Sequence, residues 1–161
     1  MNYTEYINIF KKQVSALNQK KQMEFAVSIC KRLYFDYDNF YKIEKWGDPD
    51  LLMDAIRMCE NTQRSDSNTI KAMIKRVELI TPDTEDFGDV TGSYALNACA
   101  TVLHTLDFLL NNDSMEIFSV GIAYYDTWNF KVQEDVDLTE AEIDQHPLMI
   151  EAKNYLLEQS R

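Results

Sequence analysis

The chain has 161 residues, of which 45% are apolar and 27% are charged, a balance typical of one globular domain with a buried core and not of a disordered chain. The charge is uneven, because residues 1–80 carry a net charge of +2 and residues 81–161 carry −13. The strongly acidic second half of the chain repels phosphates. This argues against nucleic-acid binding and favours a basic partner.

Helical spacing of apolar residues runs through most of the chain, and four Gly and three Pro leave few points at which it must stop. Asp48 is predicted to cap a helix that has Pro49 at its first position, and Asp113 or Ser114 to cap a later one. Polar segments at 61–68 and 80–89 separate helices. The predicted helices span residues 4–18, 22–41, 48–59, 70–80, 96–110, 115–130 and 146–159.

The segment IFSVGIAYY within 115–130 is rich in β-branched and aromatic residues, which also favour a strand. We predict a helix here, because a lone strand would have no partner. The whole chain, residues 1–161, is then a single all-α domain, a bundle of about six or seven helices.

Three segments of the sequence resemble those of a known protein family. FAVSICKRLYFDYDNFYKIEKWGD (25–48), ITPDTEDFGDVTGSYALNACATVLHTL (80–106) and LTEAEIDQHPLMIEAKNYLLEQ (138–159) resemble the start, middle and closing pattern of the domain-of-unknown-function family typified by the enterobacterial YjaG protein. The resemblance covers about residues 20–160. It implies an all-α cytoplasmic fold and no activity, since the family is uncharacterised. By analogy, small and strongly acidic relatives of such families often serve as immunity proteins that block a toxin.

The N-terminal segment, the apolar stretches and the cysteines together indicate the cellular compartment of the protein. The N-terminal segment MNYTEYINIFKK has no apolar core of a signal peptide, and polar side chains interrupt the most apolar stretch, around 94–110. Cys30, Cys59 and Cys99 are odd in number, far apart and within apolar patterns. We therefore expect a cytoplasmic protein with buried, reduced thiols and no membrane span.

The sequence contains none of the known metal-binding, catalytic or phosphate-binding motifs considered next. Loops starting at Asp83 and Asp135 lack the EF-hand spacing, and His104 and His146 stand in no zinc motif, so His104 is predicted to be structural and His146 to start a helix. Nucleophile motifs and glycine-rich phosphate loops are absent from the sequence, and no carboxylate pair stands out for acid–base catalysis. We predict a non-enzymatic protein without cofactor or metal.

The stretch EDVDLTEAEID, residues 134–144, holds six carboxylates. Thr139 and Glu142 have the spacing of a capping box, and Glu140 and Glu142 suit the first turn of a helix. Glu134, Asp135, Asp137 and Asp144 have no such structural role. A solvated acidic face is the simpler explanation of these four carboxylates, and a docking surface is the alternative.

A cluster of aromatic residues precedes this stretch. Tyr124, Tyr125, Trp128 and Phe130 include more rings than one helix face can bury, so they indicate either core packing or an interface anchor beside Asp126.

The function hypothesis is a cytoplasmic protein that binds a basic partner, most concretely an immunity protein for a basic toxin such as a nuclease. The alternative is a housekeeping helical protein, monomeric or homodimeric, whose acidity serves solubility. The predicted partner-binding residues are Asp83, Glu85, Asp86, Asp89, Tyr124, Asp126, Trp128, Glu134, Asp135 and Asp137.

Overall fold

Polar side chains at the predicted caps set where the helices begin. Asp48 accepts a hydrogen bond from the Leu51 backbone with Pro49 in the first turn, and Asp113 accepts one from Met115. Thr139 forms the predicted capping box with Glu142. The caps inferred from sequence are therefore confirmed.

The computed structural model describes residues 1–61, 63 and 65–161, and within them it contains eight helices. The all-α class and the helix over 115–130 are confirmed. The predicted count was too low, because Pro147 separates the short α7 from α8. The predicted loop 61–68 includes two residues, Thr62 and Arg64, outside the described ones, and α4 already begins at its residue Ser67. The helices are α1 (Tyr3–Ala16), α2 (Gln19–Glu44), α3 (Pro49–Glu60), α4 (Ser67–Leu79), α5 (Val90–Asn111), α6 (Ser114–Val132), α7 (Glu140–Gln145) and α8 (Pro147–Gln159).

Helix α5 is the centre of the bundle and packs mainly between α2 and α6, with α3 and α4 on further sides. It can do so because it buries side chains around much of its circumference, including Ala98, Cys99, Val102 and Leu106. On the far side of α6, helices α1 and α8 complete the core. The tight turn between α5 and α6 makes these two helices antiparallel.

One end of the bundle is where α2 and α6 finish and α5 begins. Tyr37, near the end of α2, donates a hydrogen bond of 2.7 Å to the Ile80 carbonyl and accepts one of 3.1 Å from the Asp48 backbone. The Phe40 ring meets the Phe87 ring edge-on, with centroids 4.9 Å apart. The loop 80–89 is thus fixed against the end of α2, and we call this end of the molecule the acidic end.

All three cysteines are free and buried, as predicted. Burial raises the pKa of the Cys30 thiol to about 11 and that of the Cys99 thiol to about 12. These thiols are therefore protonated at neutral pH and act as small core side chains. Across the described residues, no helix combines the length and the apolar character needed to cross a bilayer.

Candidate protein-binding site

Tyr94 joins the two acidic segments at the acidic end. It lies in the second turn of α5, and its hydroxyl donates a hydrogen bond to the Glu134 carboxylate. Burial raises the pKa of Tyr94, and the nearby charges of Glu134, Asp36 and Asp89 raise it further. Residues 83–89 and 134–137 are far apart in sequence, and the antiparallel pairing of α5 with α6 places them side by side.

Three of the seven predicted carboxylates in these segments already serve the fold. Asp83 accepts a hydrogen bond of 2.9 Å from the Glu85 backbone, Asp89 caps α5 through the Thr91 backbone at 3.0 Å, and Glu134 holds Tyr94. The other four are exposed and accept no hydrogen bond or ion pair from the residues that the structure describes. These unbonded carboxylates are Glu85, Asp86, Asp135 and Asp137.

Lys131, the lysine next to the second segment, does not neutralise them. Its ammonium lies 3.0 and 3.1 Å from the two carboxylate oxygens of Asp36. It also lies over the rings of Tyr94 and Trp128, 5.2 and 5.0 Å from their centroids. Because its charge is used within the protein, Lys131 does not neutralise the unbonded carboxylates at this end.

A cleft of about 550 Å³ opens beside α6, between the start of α1 and α7. Asp126 lines it, half-buried and without a hydrogen bond or ion pair among the described residues. Two tyrosine rings, Tyr3 and Tyr125, lie in contact beside it with centroids 4.9 Å apart. A carboxylate next to aromatic faces suits the ammonium of a lysine or the guanidinium of an arginine. We call this feature the Asp126 cleft.

Replacing Asp126 by asparagine is expected to raise the melting temperature at pH 7. Burial raises the pKa of Asp126, so between its ordinary value of 3.8 and the raised one the folded protein binds more proton than the unfolded chain. The contribution of Asp126 to the free energy of unfolding therefore falls as the pH rises through that window. Asparagine carries no charge to desolvate, so the variant does not suffer this loss of stability at pH 7. Thermal unfolding at pH 7 and at pH 3 measures the effect, and the gain should vanish at the lower pH.

The exposed Asp135 supplies the control, because asparagine there should leave the melting temperature unchanged at either pH. A lower melting temperature for Asp126→Asn at pH 7 would contradict the prediction and show that this carboxylate has a stabilising partner.

Tyr124 and Trp128 lie away from Asp126. Tyr124 is only 3% exposed and accepts a hydrogen bond of 3.3 Å from Arg32, whose guanidinium also stacks on Tyr155 at 3.6 Å. Trp128, one helical turn further on, lines a second cleft together with Tyr124 and Tyr155, and Asp126 does not line that cleft. Residues two apart on a helix point about 200° from each other. The structure therefore does not join these rings and Asp126 into one patch.

A different aromatic residue lies at the acidic end. Trp46 is 37% exposed and packs on Phe87, with ring centroids 5.4 Å apart, in the middle of the 80–89 loop. Val90, directly after the first acidic segment, and Val136, inside the second, are also exposed. Trp46 was not among the residues predicted from sequence to bind a partner. The signal that could have singled it out is a tryptophan next to a glycine at a helix end, where it need not be buried.

The fold and its charged end define a class: an all-α domain with an acidic surface at one end. Comparison with family models assigns it further, since the model described as "Protein of unknown function (DUF416)" matches residues 9–159. The chain therefore belongs to this uncharacterised family. The sequence resemblance is confirmed at that level, and the likeness to YjaG and the immunity role remain predictions.

A solved structure supports the assignment. The crystal structure of a DUF416 family protein from Shewanella baltica OS155, at 1.91 Å resolution, is similar with a TM-score of 0.82 and 25% sequence identity. The similarity covers 94% of this chain and 83% of that one. No curated protein matches the chain.

Proposed function

We propose that this protein is a non-enzymatic binding module whose acidic end docks a basic protein partner in the cytoplasm. The observation that supports it best is the set of unbonded carboxylates, Glu85, Asp86, Asp135 and Asp137, brought together from two distant segments. Local structure accounts for their neighbours, and these four make no intramolecular bond among the described residues. An excess of negative charge at one end steers an oppositely charged partner into a defined orientation.

The most concrete form of the proposal is an immunity protein that neutralises a basic toxin such as a nuclease. A nuclease presents a basic groove to its substrate, and carboxylates on a rigid helical frame can occupy that groove in place of phosphates. Trp46 would supply an apolar anchor within the charged surface, since tryptophan is enriched at binding hot spots. The Asp126 cleft would take one lysine or arginine side chain of the partner.

Reversing three charges at the acidic end tests the proposal. The variant Asp86→Lys, Asp135→Lys, Asp137→Lys changes only side chains without intramolecular bonds among the described residues, so the fold should persist. Association with the partner should slow at least tenfold at low salt, because steering changes association rates by about 10 to 1,000-fold. Affinity capture from the native cells with mass spectrometry identifies the partner, and a biosensor then measures both rates at low and high salt.

A matched control carries the same charge change elsewhere. Glu24, Glu151 and Glu158 are exposed and make no ion pair within the described residues. Replacing all three by lysine also changes the net charge from −11 to −5. One basic protein captured by the wild type and by this control, and lost with the acidic-end variant, supports the proposal. Equal capture by both variants, or no capture by any, contradicts it and favours the housekeeping protein whose acidity serves solubility.

A further inference from the structure

A cluster of possible metal ligands lies at the opposite end of the bundle from the acidic end. His104 and Asp107 are three residues apart near the end of α5, and Glu116 lies in the first turn of α6. One ligand atom from each lies within 4.8 Å of the others, and all three side chains are partly buried. About 27 Å of helix separates Asp107 from the cap at Asp89, so this cluster is independent of the proposed docking surface.

An ion pair explains only part of the cluster. His104 Nδ1 lies 2.7 Å from Glu116 Oε2, and this pair alone would suit the structural role predicted for His104. Asp107 makes no hydrogen bond or ion pair with any described residue. Burial raises the pKa of the Asp107 carboxyl, the nearby charges of Glu116 and Glu78 raise it further, and His104 lowers it. Two carboxylates thus share one imidazole, which leaves a net negative charge even when the histidine is protonated.

We propose that His104, Asp107 and Glu116 bind a divalent transition-metal ion of the Zn²⁺ class. One imidazole nitrogen and two carboxylate oxygens form a donor set that zinc accepts, and three protein ligands leave a fourth position for water. Ligands from facing helices, with one pair at i and i+3, are a common way to build a metal site inside a helical bundle.

The framework around the ligands is already rigid. The α5–α6 turn is short, and Asp113 caps α6 through the Met115 backbone at 2.9 Å, which fixes the first turn of α6 against the last turns of α5. Donor atoms around a tetrahedral ion lie about 3.4 Å apart, given metal–ligand distances near 2.1 Å. Metal binding therefore requires the 2.7 Å contact between His104 and Glu116 to open, while the three ligand atoms already lie within 4.8 Å of one another.

The three ligands do not form a known sequence motif, because Glu116 lies on α6, across a turn from His104 and Asp107 on α5. His104 and Asp107 alone, as His-x-x-Asp on an apolar helix, are a weak signal.

Titration with Zn²⁺ and with Co²⁺ tests the inference on the intact, chelator-treated protein. Isothermal calorimetry should show one saturable site, and Co²⁺ should give the visible absorption of a tetrahedral or five-coordinate ion. His104→Gln, Asp107→Asn and Glu116→Gln should each weaken binding at least tenfold. Circular dichroism checks that each variant is folded, and the near-isosteric Glu116→Gln and Asp107→Asn keep the side-chain shape.

The control removes equivalent groups elsewhere. His146→Asn keeps a residue that caps α8, and Asp135→Asn removes an exposed carboxylate. Both should bind Zn²⁺ as the wild type does. Absence of saturable binding by the wild type, or equal binding by the His104 variant and the controls, would overturn the proposal.

Discussion

Valine in place of Gly121 is expected to lower the free energy of unfolding by about 3 kcal/mol, the upper part of the range for overpacked cores. A Cβ atom at this position would lie 2.2 Å from Phe10 Cζ and 2.5 Å from its Cε1. The Phe10 ring is fully buried, stacked on Tyr6 and in contact with Phe25 and Phe118, so it has no free space to enter. For a chain of this size the melting temperature should fall by roughly 10 °C.

Gly88 is the matched control, because nothing lies within 4 Å of a Cβ built there. Gly88→Val should change stability by less than about 0.5 kcal/mol. In the double variant Phe10→Ala, Gly121→Val, the alanine removes the ring that the valine would strike, and the valine fills part of the cavity that the alanine leaves. The double variant should therefore lose less stability than the two single variants together. Urea unfolding followed by circular dichroism measures all four variants. If Gly121→Val were as stable as Gly88→Val, the close packing of α1 on α6 would be wrong.

Much of the fold could be predicted because its determinants are local. Apolar spacing predicted each long helix, Asp48 with Pro49 predicted the start of α3, and Thr139 with Glu142 predicted the start of α7. Helix α7 was harder, since a six-residue helix has no full apolar stripe to detect. Its capping box was visible in sequence, and Pro147 then decides that it ends there instead of continuing into α8.

The candidate site depends on tertiary pairing and so could be predicted only in part. That residues 83–89 and 134–137 are acidic is plain from sequence. That they lie side by side follows from the antiparallel packing of α5 and α6 and from the Tyr94–Glu134 hydrogen bond. The separation of Tyr124 from Asp126 needed no structure, because helical geometry alone places residues two apart on opposite faces.

Structure also separates carboxylates that sequence treats alike. Glu134 and Asp135 are neighbours, yet the first holds Tyr94 and the second makes no bond among the described residues. Asp144 belongs to the same acidic stretch but is paired with a buried lysine. A uniform charge reversal across 134–144 would therefore mix effects on folding with effects on binding. Variants chosen from the unbonded set avoid that mixture.

Asparagine in place of Asp144 is expected to destabilise the protein by about 3 kcal/mol, the cost typical of breaking a buried ion pair from one side. Lys153 is 4% exposed, and its ammonium lies 2.6 Å from Asp144 Oδ1 and 3.3 Å from the Met1 carbonyl. Without the carboxylate charge, this buried ammonium keeps only neutral acceptors and its cost of desolvation is no longer offset. Urea unfolding of the wild type and of Asp144→Asn measures the loss.

Removing both members of the pair should restore most of that stability. In the double variant Asp144→Asn, Lys153→Met no unpaired charge is buried, and apolar replacements of buried pairs are often neutral. The pair Asp38–Lys42, one turn apart on the surface of α2 and with an exposed lysine, is the control, because Asp38→Asn should cost less than about 1 kcal/mol. The double variant also keeps the net charge at −11 and leaves the unbonded carboxylates intact. If it is stable and still binds the basic partner, the pair holds α7 and α8 in place without contributing to docking. Additive losses in the double variant would instead show that Lys153 and Asp144 stabilise the fold through separate contacts.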